Sequence, residues 1–193
     1  LEDGDVIVFC QTVVAKAEGR AFILKHITPS ELAETIARNQ GKDARFVEVV
    51  LRNSVRLVRS TPSSLICETP QGCICANAGC DTTNTKPDTV VAHPEDPNKS
   101  AARLRAQVLS HTSLSRIGVL ISDTIGRPHR KGAINVAIGA AGIDPLDTST
   151  IVDLYGKSAN KSVAVADQFA STAGLLMGEG GEGIPVVIVR GAG

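Results

Sequence analysis

Residues 117–132, IGVLISDTIGRPHRKG, decide how this chain is read. The first five residues are apolar, rich in β-branched side chains and bounded by turn formers, which predicts a buried strand. The run ends in Ser122-Asp123-Thr124, and the composition then reverses. Gly126 and Pro128 break the backbone, while Arg127, Arg130 and Lys131 bring positive charge close to Asp123. A carboxylate at the mouth of a buried strand, beside a hydroxyl and a basic loop, suits a divalent ion with a phosphate-bearing ligand. Hard cations such as Mg²⁺ combine one or two carboxylates with substrate phosphates. A strand cap in which Asp123 pairs with Arg127 explains the same letters.

The rest of the composition narrows the classes. The 193 residues and 20.1 kDa fit one large domain or two small lobes around a shared core. No clean boundary is visible, so 1–193 is read as one unit. Hydrophobic residues at 42% and charged residues at 21% give an ordinary soluble balance, and with only 3% aromatics and no Trp the core has to be aliphatic. Lys+Arg and Asp+Glu are each 20, for a formal net charge of zero. That, with so few stacking aromatics, argues against a nucleic-acid partner. Cys10, Cys67, Cys73, Cys75 and Cys80 show no C-x-x-C spacing and no histidine at zinc-finger spacing, so they read as small buried hydrophobes in a reducing, cytoplasmic setting. No 18-residue apolar span exists, so no membrane crossing is expected. The opening Leu1-Glu2-Asp3-Gly4-Asp5 lacks a starting Met and reads as mid-chain.

Working outward from the central strand, Val6–Cys10 is a second apolar run and a second buried strand. Lys16 follows it, either as a phosphate-contacting lysine or as a solvated surface residue. Thr28-Pro29-Ser30-Glu31 predicts a helix start, with Thr28 as N-cap, Pro29 at the first position and Glu31 closing a capping box. Leu32 and Ile36 should share its buried face, and Gly41 should stop it. Residues 44–53 repeat the pattern, with Phe46, Val47, Val50 and Leu51 on one side. Residues 55–58, 65–67 and 73–76 predict an antiparallel meander turned at Pro62-Ser63-Ser64 and Pro70-Gln71-Gly72. Residues 90–100 form a proline-punctuated loop in which His93 reads as a loop histidine more than a catalytic base. Asp96 and Pro97 then start a helix with Ala101, Leu104 and Val108 as its apolar stripe. Residues 134–143, INVAIGAAGI, suit a place where backbones touch. So aliphatic a segment is hard to bury in a monomer of this size and points to a dimer.

Two loops carry the remaining chemistry. In residues 77–84, NAGCDTTN, small residues admit a ligand close to the backbone while Asn and Asp offer oxygen ligands and amide donors. An Asx turn, in which those side chains bond their own backbone, is the plain alternative. Residues 162–177 predict a helix with Val163, Ala166, Phe169, Ala170, Ala173 and Met177 on one face. It ends in GEGGEG at 178–183, ahead of the strand Val186–Val189. Backbone N–H groups of such a loop can donate to phosphate oxygens. It is no P-loop, since it lacks Lys-Ser/Thr and follows a helix. A mobile surface loop is the alternative.

Taken together, the ordered motifs resemble the coenzyme F420-0:L-glutamate ligase family. They are residues 1–8 with Lys-Ala-Glu-Gly-Arg at 16–20, the 77–84 loop, Asp123-Thr124 with Gly126-Arg127-Pro128, Ala137-Ile138-Gly139, Asp153-Leu154-Tyr155-Gly156, residues 177–185, and Val189-Arg190-Gly191. The resemblance implies a mixed α/β fold, an intertwined homodimer, and a GTP-dependent ligase that adds L-glutamate in γ-linkage to the deazaflavin acceptor F420-0 through an acyl phosphate. It implies two divalent ions, Mg²⁺ or Mn²⁺, and a monovalent ion such as K⁺. By position, Asp81 and Asp123 match the carboxylates of one metal, and Thr124 and Glu179 match ligands of the other. Gln11, Lys16 and Asn84 match nucleotide-contacting positions, as do Met177, Gly178, Gly180, Gly181, Glu182, Gly183 and Ile184. Arg127, Arg130 and Lys131 are the candidates to hold phosphate or carboxylate during catalysis.

The resemblance implies segments beyond both ends of the sequence read here, and three residues depart from the family pattern: Gln11 replaces a smaller hydroxyl residue, His129 stands where an aromatic is common, and Asn135 stands where an acid is common. A nucleotide- or cofactor-binding protein without ligation, and a ligase for another carboxylate acceptor, are the competing readings.

Overall fold

The computed structural model describes residues 1–191; Ala192 and Gly193, the end of the unit read from the sequence, lie outside the described residues. The architecture is mixed α/β, with five α-helices and several sheets among the described residues. Its centre is a four-stranded sheet in the order β11-β1-β7-β8. Strand β1 (Val6–Cys10) pairs in parallel with β7 (Gly118–Arg127) and antiparallel with β11 (Val186–Val189), while β7 continues as an antiparallel hairpin into β8 (Arg130–Ala141).

The two central strands are apolar on both faces because both are covered. Val6, Val8 and Leu120 pack on α5 (Val165–Met177) through Ala166, Phe169, Ala173 and Met177. Ile7, Val119 and Ile121 point the other way, onto Val14 of α1 (Gln11–Ala17) and Ala101 of α4 (Pro97–Ser110). Alternate residues thus feed opposite cores, the pattern of a sheet buried on both sides. Each buried Val, Leu or Ile contributes about 1.5–3 kcal/mol over its exposed form.

Residues 134–143 are crowded as expected, but within the protomer. A Cβ on Gly139 would lie 2.4 Å from the carbonyl oxygen of Pro97. Helices α4 and α5 cover the segment, so it gives no argument for a partner.

Since β1 and β7 are parallel, the chain must cross over between them, and that connection holds a second core. It contains β2 (Ala21–Ile23), α2 (Glu31–Gln40), α3 (Ala44–Arg52), the meander β3 (Arg56–Thr61), β4 (Ser64–Glu68) and β5 (Ile74–Ala76), and β6 (Thr89–Val91) paired to β2. Ala33, Ile36, Val47, Val50, Leu65 and Val90 fill that core. After β8 comes a short arm, β9 (Thr150–Val152) and β10 (Ser158–Asn160), exposed along its length.

Several local expectations are corrected. The N-cap of α2 is Ser30, whose hydroxyl accepts from the Ala33 N–H, and not Thr28. The capping acid comes from another helix: Glu48 of α3 accepts from both Ser30 N (2.9 Å) and Ser30 Oγ (2.7 Å), in place of Glu31. Leu32 is exposed, and Ala33, Ile36 and Ala37 face the core instead. Val163 lies outside α5, in a bridge to Asp147. The meander, the Asp96 cap with Pro97 behind it, and the buried stripe of α5 match the reading from sequence. Among the described residues no helix is long and apolar enough to cross a membrane.

Candidate functional site

The site forms at the carboxyl ends of the parallel pair, where ligands of open α/β sheets settle. Register sets Cys10 opposite Ser122, so Gln11 and Asp123 continue from neighbouring strand positions. Asp123 is not at a strand end, however. Strand β7 runs on to Arg127, and the basic "loop" is the tip of the β7–β8 hairpin, turning through Pro128 and His129. A bulge interrupts the pairing between Ile121 and Ser122, just before Asp123. A bulge bends the strand and re-aims the side chains that follow.

Around this edge is a cavity of about 650 Å³. Asp81, Asp123, Thr124 and Glu179 line it, as do Gln11, Lys16, Asn84, Met177, Gly178, Gly180, Gly181, Gly183 and Ile184. Three segments far apart in sequence therefore meet at this strand edge: α1, the 77–84 loop and the glycine-rich loop at 178–183. Hydrogen bonds tie them together. Lys16 Nζ donates to the Asn84 carbonyl, and Asn84 Nδ2 donates to the Gly180 carbonyl at 2.8 Å.

The remaining expected residues lie elsewhere. Glu182 is outside the cavity lining, its carboxylate folded back to accept from Gly180 N at 2.8 Å. It fills the space where a Cβ on Gly178 would stand, 2.3 Å from Glu182 Cδ. An anion thus already sits on an N–H of that loop. Arg127, Arg130 and Lys131 lie at the exposed hairpin tip, outside the lining.

Asp123 does not pair with Arg127. Its Oδ2 is 2.7 Å from Nε2 of His93, a buried histidine on the loop after β6. The sequence reads His93 as a loop histidine more than a catalytic base and gives no sign of its contact with Asp123. His93 is on a loop as read, but the fold presses it against Gly79, where a Cβ would be 1.9 Å from Nε2. The available signal for this packing was a small-residue loop and a histidine placed directly after an apolar run. Asp81 is held by backbone pairing to Val91, while its Oδ1 accepts from Thr82 N (2.7 Å) and Thr83 N (2.9 Å). The Asx turn and a place in the cavity wall therefore coexist. Gln11 is 2% exposed and its Oε1 has no partner.

The wall's electrostatics favour a cation. Among the described residues no Lys or Arg lies within ion-pair distance of Asp81, Asp123 or Glu179. Like charges ~4 Å apart cost ~4 kcal/mol at an effective dielectric near 20, so a cation would ease any close approach of an anionic ligand to these carboxylates. Burial pushes the Cys80 thiol up to about 12, so it adds no negative charge to the same wall. Oxygen donors without amine or guanidinium partners fit Mg²⁺ or Mn²⁺. Among the described residues no group of three or more acidic, His or Cys side chains is gathered closely enough to hold a metal ion by itself, so a cation here would need a ligand's own oxygens.

Comparison with known proteins gives a consistent result. A family model described as F420-0:Gamma-glutamyl ligase matches residues 1–191. The chain is 46% identical over 193 residues to a coenzyme F420:L-glutamate ligase of Methanopyrus kandleri, covering 99% of this chain and 76% of that protein. Proteins of the same name from Archaeoglobus fulgidus (45% over 192 residues, 98% and 76%) and Methanothermobacter thermautotrophicus (43% over 193 residues, 99% and 76%) are similarly related.

Proposed function

Because this chain belongs to the F420-0:gamma-glutamyl ligase family, we propose that it joins L-glutamate in γ-linkage to a deazaflavin acceptor of the F420-0 type, with GTP as cosubstrate. The observation that carries this reading is the cavity itself. Four oxygen-bearing side chains with no Lys or Arg among the described residues in an ion pair to them share it with a glycine-rich loop whose N–H already holds a carboxylate.

In this reading an oxygen of the acceptor carboxylate attacks the γ-phosphorus of GTP, the bond to the β-phosphate oxygen breaks, and GDP leaves. The amine of glutamate then attacks the acyl carbon, phosphate departs, and the amine loses a proton to give the amide. No side-chain nucleophile is required, so the protein's work is positioning and charge neutralisation. Asp81, Asp123, Thr124 and Glu179 would hold two divalent ions, which supply charge neutralisation on the phosphates. Loop N–H groups take phosphate oxygens once Glu182 gives way, and Lys16 and Asn84 brace that loop. The orphaned Gln11 Oε1, costly to leave unpaired by about 1–3 kcal/mol, can accept a hydrogen bond from an N–H of the ligand.

The working unit in this reading is a homodimer. Leu154 and Tyr155 at the tip of the β9–β10 arm are 99% and 96% exposed, and Leu175 and Leu176 of α5 are exposed beside the glycine-rich loop. Such an apolar set calls for a second surface. Light scattering giving a mass near 20.1 kDa at micromolar concentration would sink the dimer.

The function is tested by incubating the protein with GTP, L-glutamate, F420-0 and Mg²⁺ or Mn²⁺ and analysing products by mass. A product heavier by glutamate less water, formed with GDP, is expected. GTP binding without any glutamate incorporation would overturn ligation.

A further inference from the structure

Thr124, on β7, and Asn135, on β8, face each other across the hairpin. Asn135 Nδ2 lies 2.8 Å from Thr124 Oγ1, and Thr124 Oγ1 in turn lies 3.1 Å from Glu179 Oε1. A hydroxyl has one proton and two lone pairs, and an ionised carboxylate only accepts. The Thr124 proton is therefore committed to Glu179, and its other neighbour must be a donor, which fixes the amide of Asn135 with its nitrogen toward Thr124. One lone pair of Oγ1 remains, on a residue that lines the cavity.

The far side of Asn135 is equally constrained. Its Oδ1 occupies the space over Gly174 of α5, where a Cβ would come within 1.7 Å. Ser171 Oγ, one turn earlier on α5, donates to the Asn135 backbone carbonyl at 2.7 Å. Helix α5 is thus shaped to seat this one side chain. A glycine in a helix interior is intrinsically unfavourable, so its presence here requires such a reason.

We propose that Asn135 is a positioning residue: by donating to Thr124 it orients the hydroxyl proton toward Glu179 and leaves the free lone pair of Oγ1 for a divalent cation in the cavity. The proposal rests on the cavity's reading as a metal and nucleotide site. Partners that orient metal-binding side chains typically govern affinity by 10–100-fold.

The test is Mn²⁺ titration, alone and with GTP, followed through the EPR signal of the free ion. Asn135→Leu fills the same space without a donor, and Gly174→Ala displaces Asn135 while improving helix propensity. Both variants should bind Mn²⁺ at least about tenfold more weakly than the parent, with metal-free unfolding temperatures close to the parent's. Asn135→Leu with parental Mn²⁺ affinity would overturn the proposal, because it would show that Asn135 only fills space. Should Asn135→Leu fail to fold, Gly174→Ala decides on the same reading, parental Mn²⁺ affinity again overturning it. A parent protein that binds no Mn²⁺ with GTP present would instead overturn the metal reading beneath it, and the proposal with it.

Discussion

The β7–β8 hairpin has two ends with opposite characters. Its inner end carries Asp123 and Thr124, with α5 on one face and α1 and α4 on the other, and His93 bonded to Asp123. Its outer end carries Arg127, Arg130 and Lys131, exposed and outside the cavity. One continuous pair of strands therefore joins an acidic site to an exposed basic tip that, among the described residues, forms no ion pair. The lesson is that charge proximity in sequence is not proximity in space. A strand carries neighbouring residues away at ~3.3 Å each, so Arg127 is well removed from Asp123. Residues 93 and 123, far apart in sequence, are in contact.

The sharpest way to break the comparison is Asp123→Asn. Asn keeps the shape and can still accept from His93, so the fold should persist, with a ligand-free melting temperature near the parent's. GTP-dependent ligation should fall by at least ~100-fold, the scale seen when one preorganised electrostatic group is lost. A folded variant with near-parental turnover would make the inner end structural and erase the contrast. A milder version leaves the sequence alone. Titrating GTP in chelator against Mg²⁺ should weaken affinity by about tenfold or more, since phosphates would then face unscreened carboxylates. Equal affinity in both conditions would show that the acids do not meet the nucleotide.

How far the sequence could be read follows from how local each determinant is. Strand β1, the meander and the buried face of α5 depend on periodicity within a few residues, and they were legible. Helix α1 was not, because seven residues hold too little pattern and its place is set by Val14 packing against Ile7, Val119 and Ile121 of the sheet. The α2 cap was misplaced for a related reason: Thr28 and Ser30 are equally good caps locally, and Glu48, far along the chain, chooses between them. The cavity lining was largely legible because the motifs that form it are loops rich in small and oxygen-bearing residues. His93 and the Asn135–Gly174 contact were hidden, since each is defined only by a partner from another element.

The outer end should respond weakly and differently. If Arg130 reaches an anionic acceptor or a neighbouring subunit's ligand, it does so as an exposed charge, worth about 0.2–1 kcal/mol. Arg130→Ala should therefore raise the acceptor's KM by no more than about fivefold, leave GTP affinity unchanged, and lose its effect at high salt. A large drop in kcat would place the tip in the chemistry and remove the distinction between the two ends.

The smallest effect on activity is expected at the opposite edge of the same sheet. Asp5 immediately precedes β1, is 1% exposed, and receives Arg190 at 2.7 Å and 2.8 Å in a two-pronged contact that closes β11 onto β1. The Arg190 guanidinium holds the Asp5 carboxyl down from its ordinary 3.8 to about 2, with the Glu2 N–H adding to the effect. A carboxyl depressed on folding contributes stability that is fully present above its unfolded value and is lost as pH falls through its folded value. The contact should therefore stabilise the protein at neutral pH, weaken from about pH 4 downward, and be largely lost as pH falls through about 2. Asp5→Asn should melt below the parent at pH 7, and the gap should close over that interval. Ligation at a temperature where both are folded should be unchanged, because Asp5 and Arg190 contact neither the cavity nor its loops. A gap between parent and variant that stays constant from pH 7 to pH 2 would mean the ion pair contributes nothing through its charge, only through shape. A loss of ligation in the folded variant would mean that the two edges of the sheet are coupled, and that the site depends on how tightly β11 holds the glycine-rich loop preceding it.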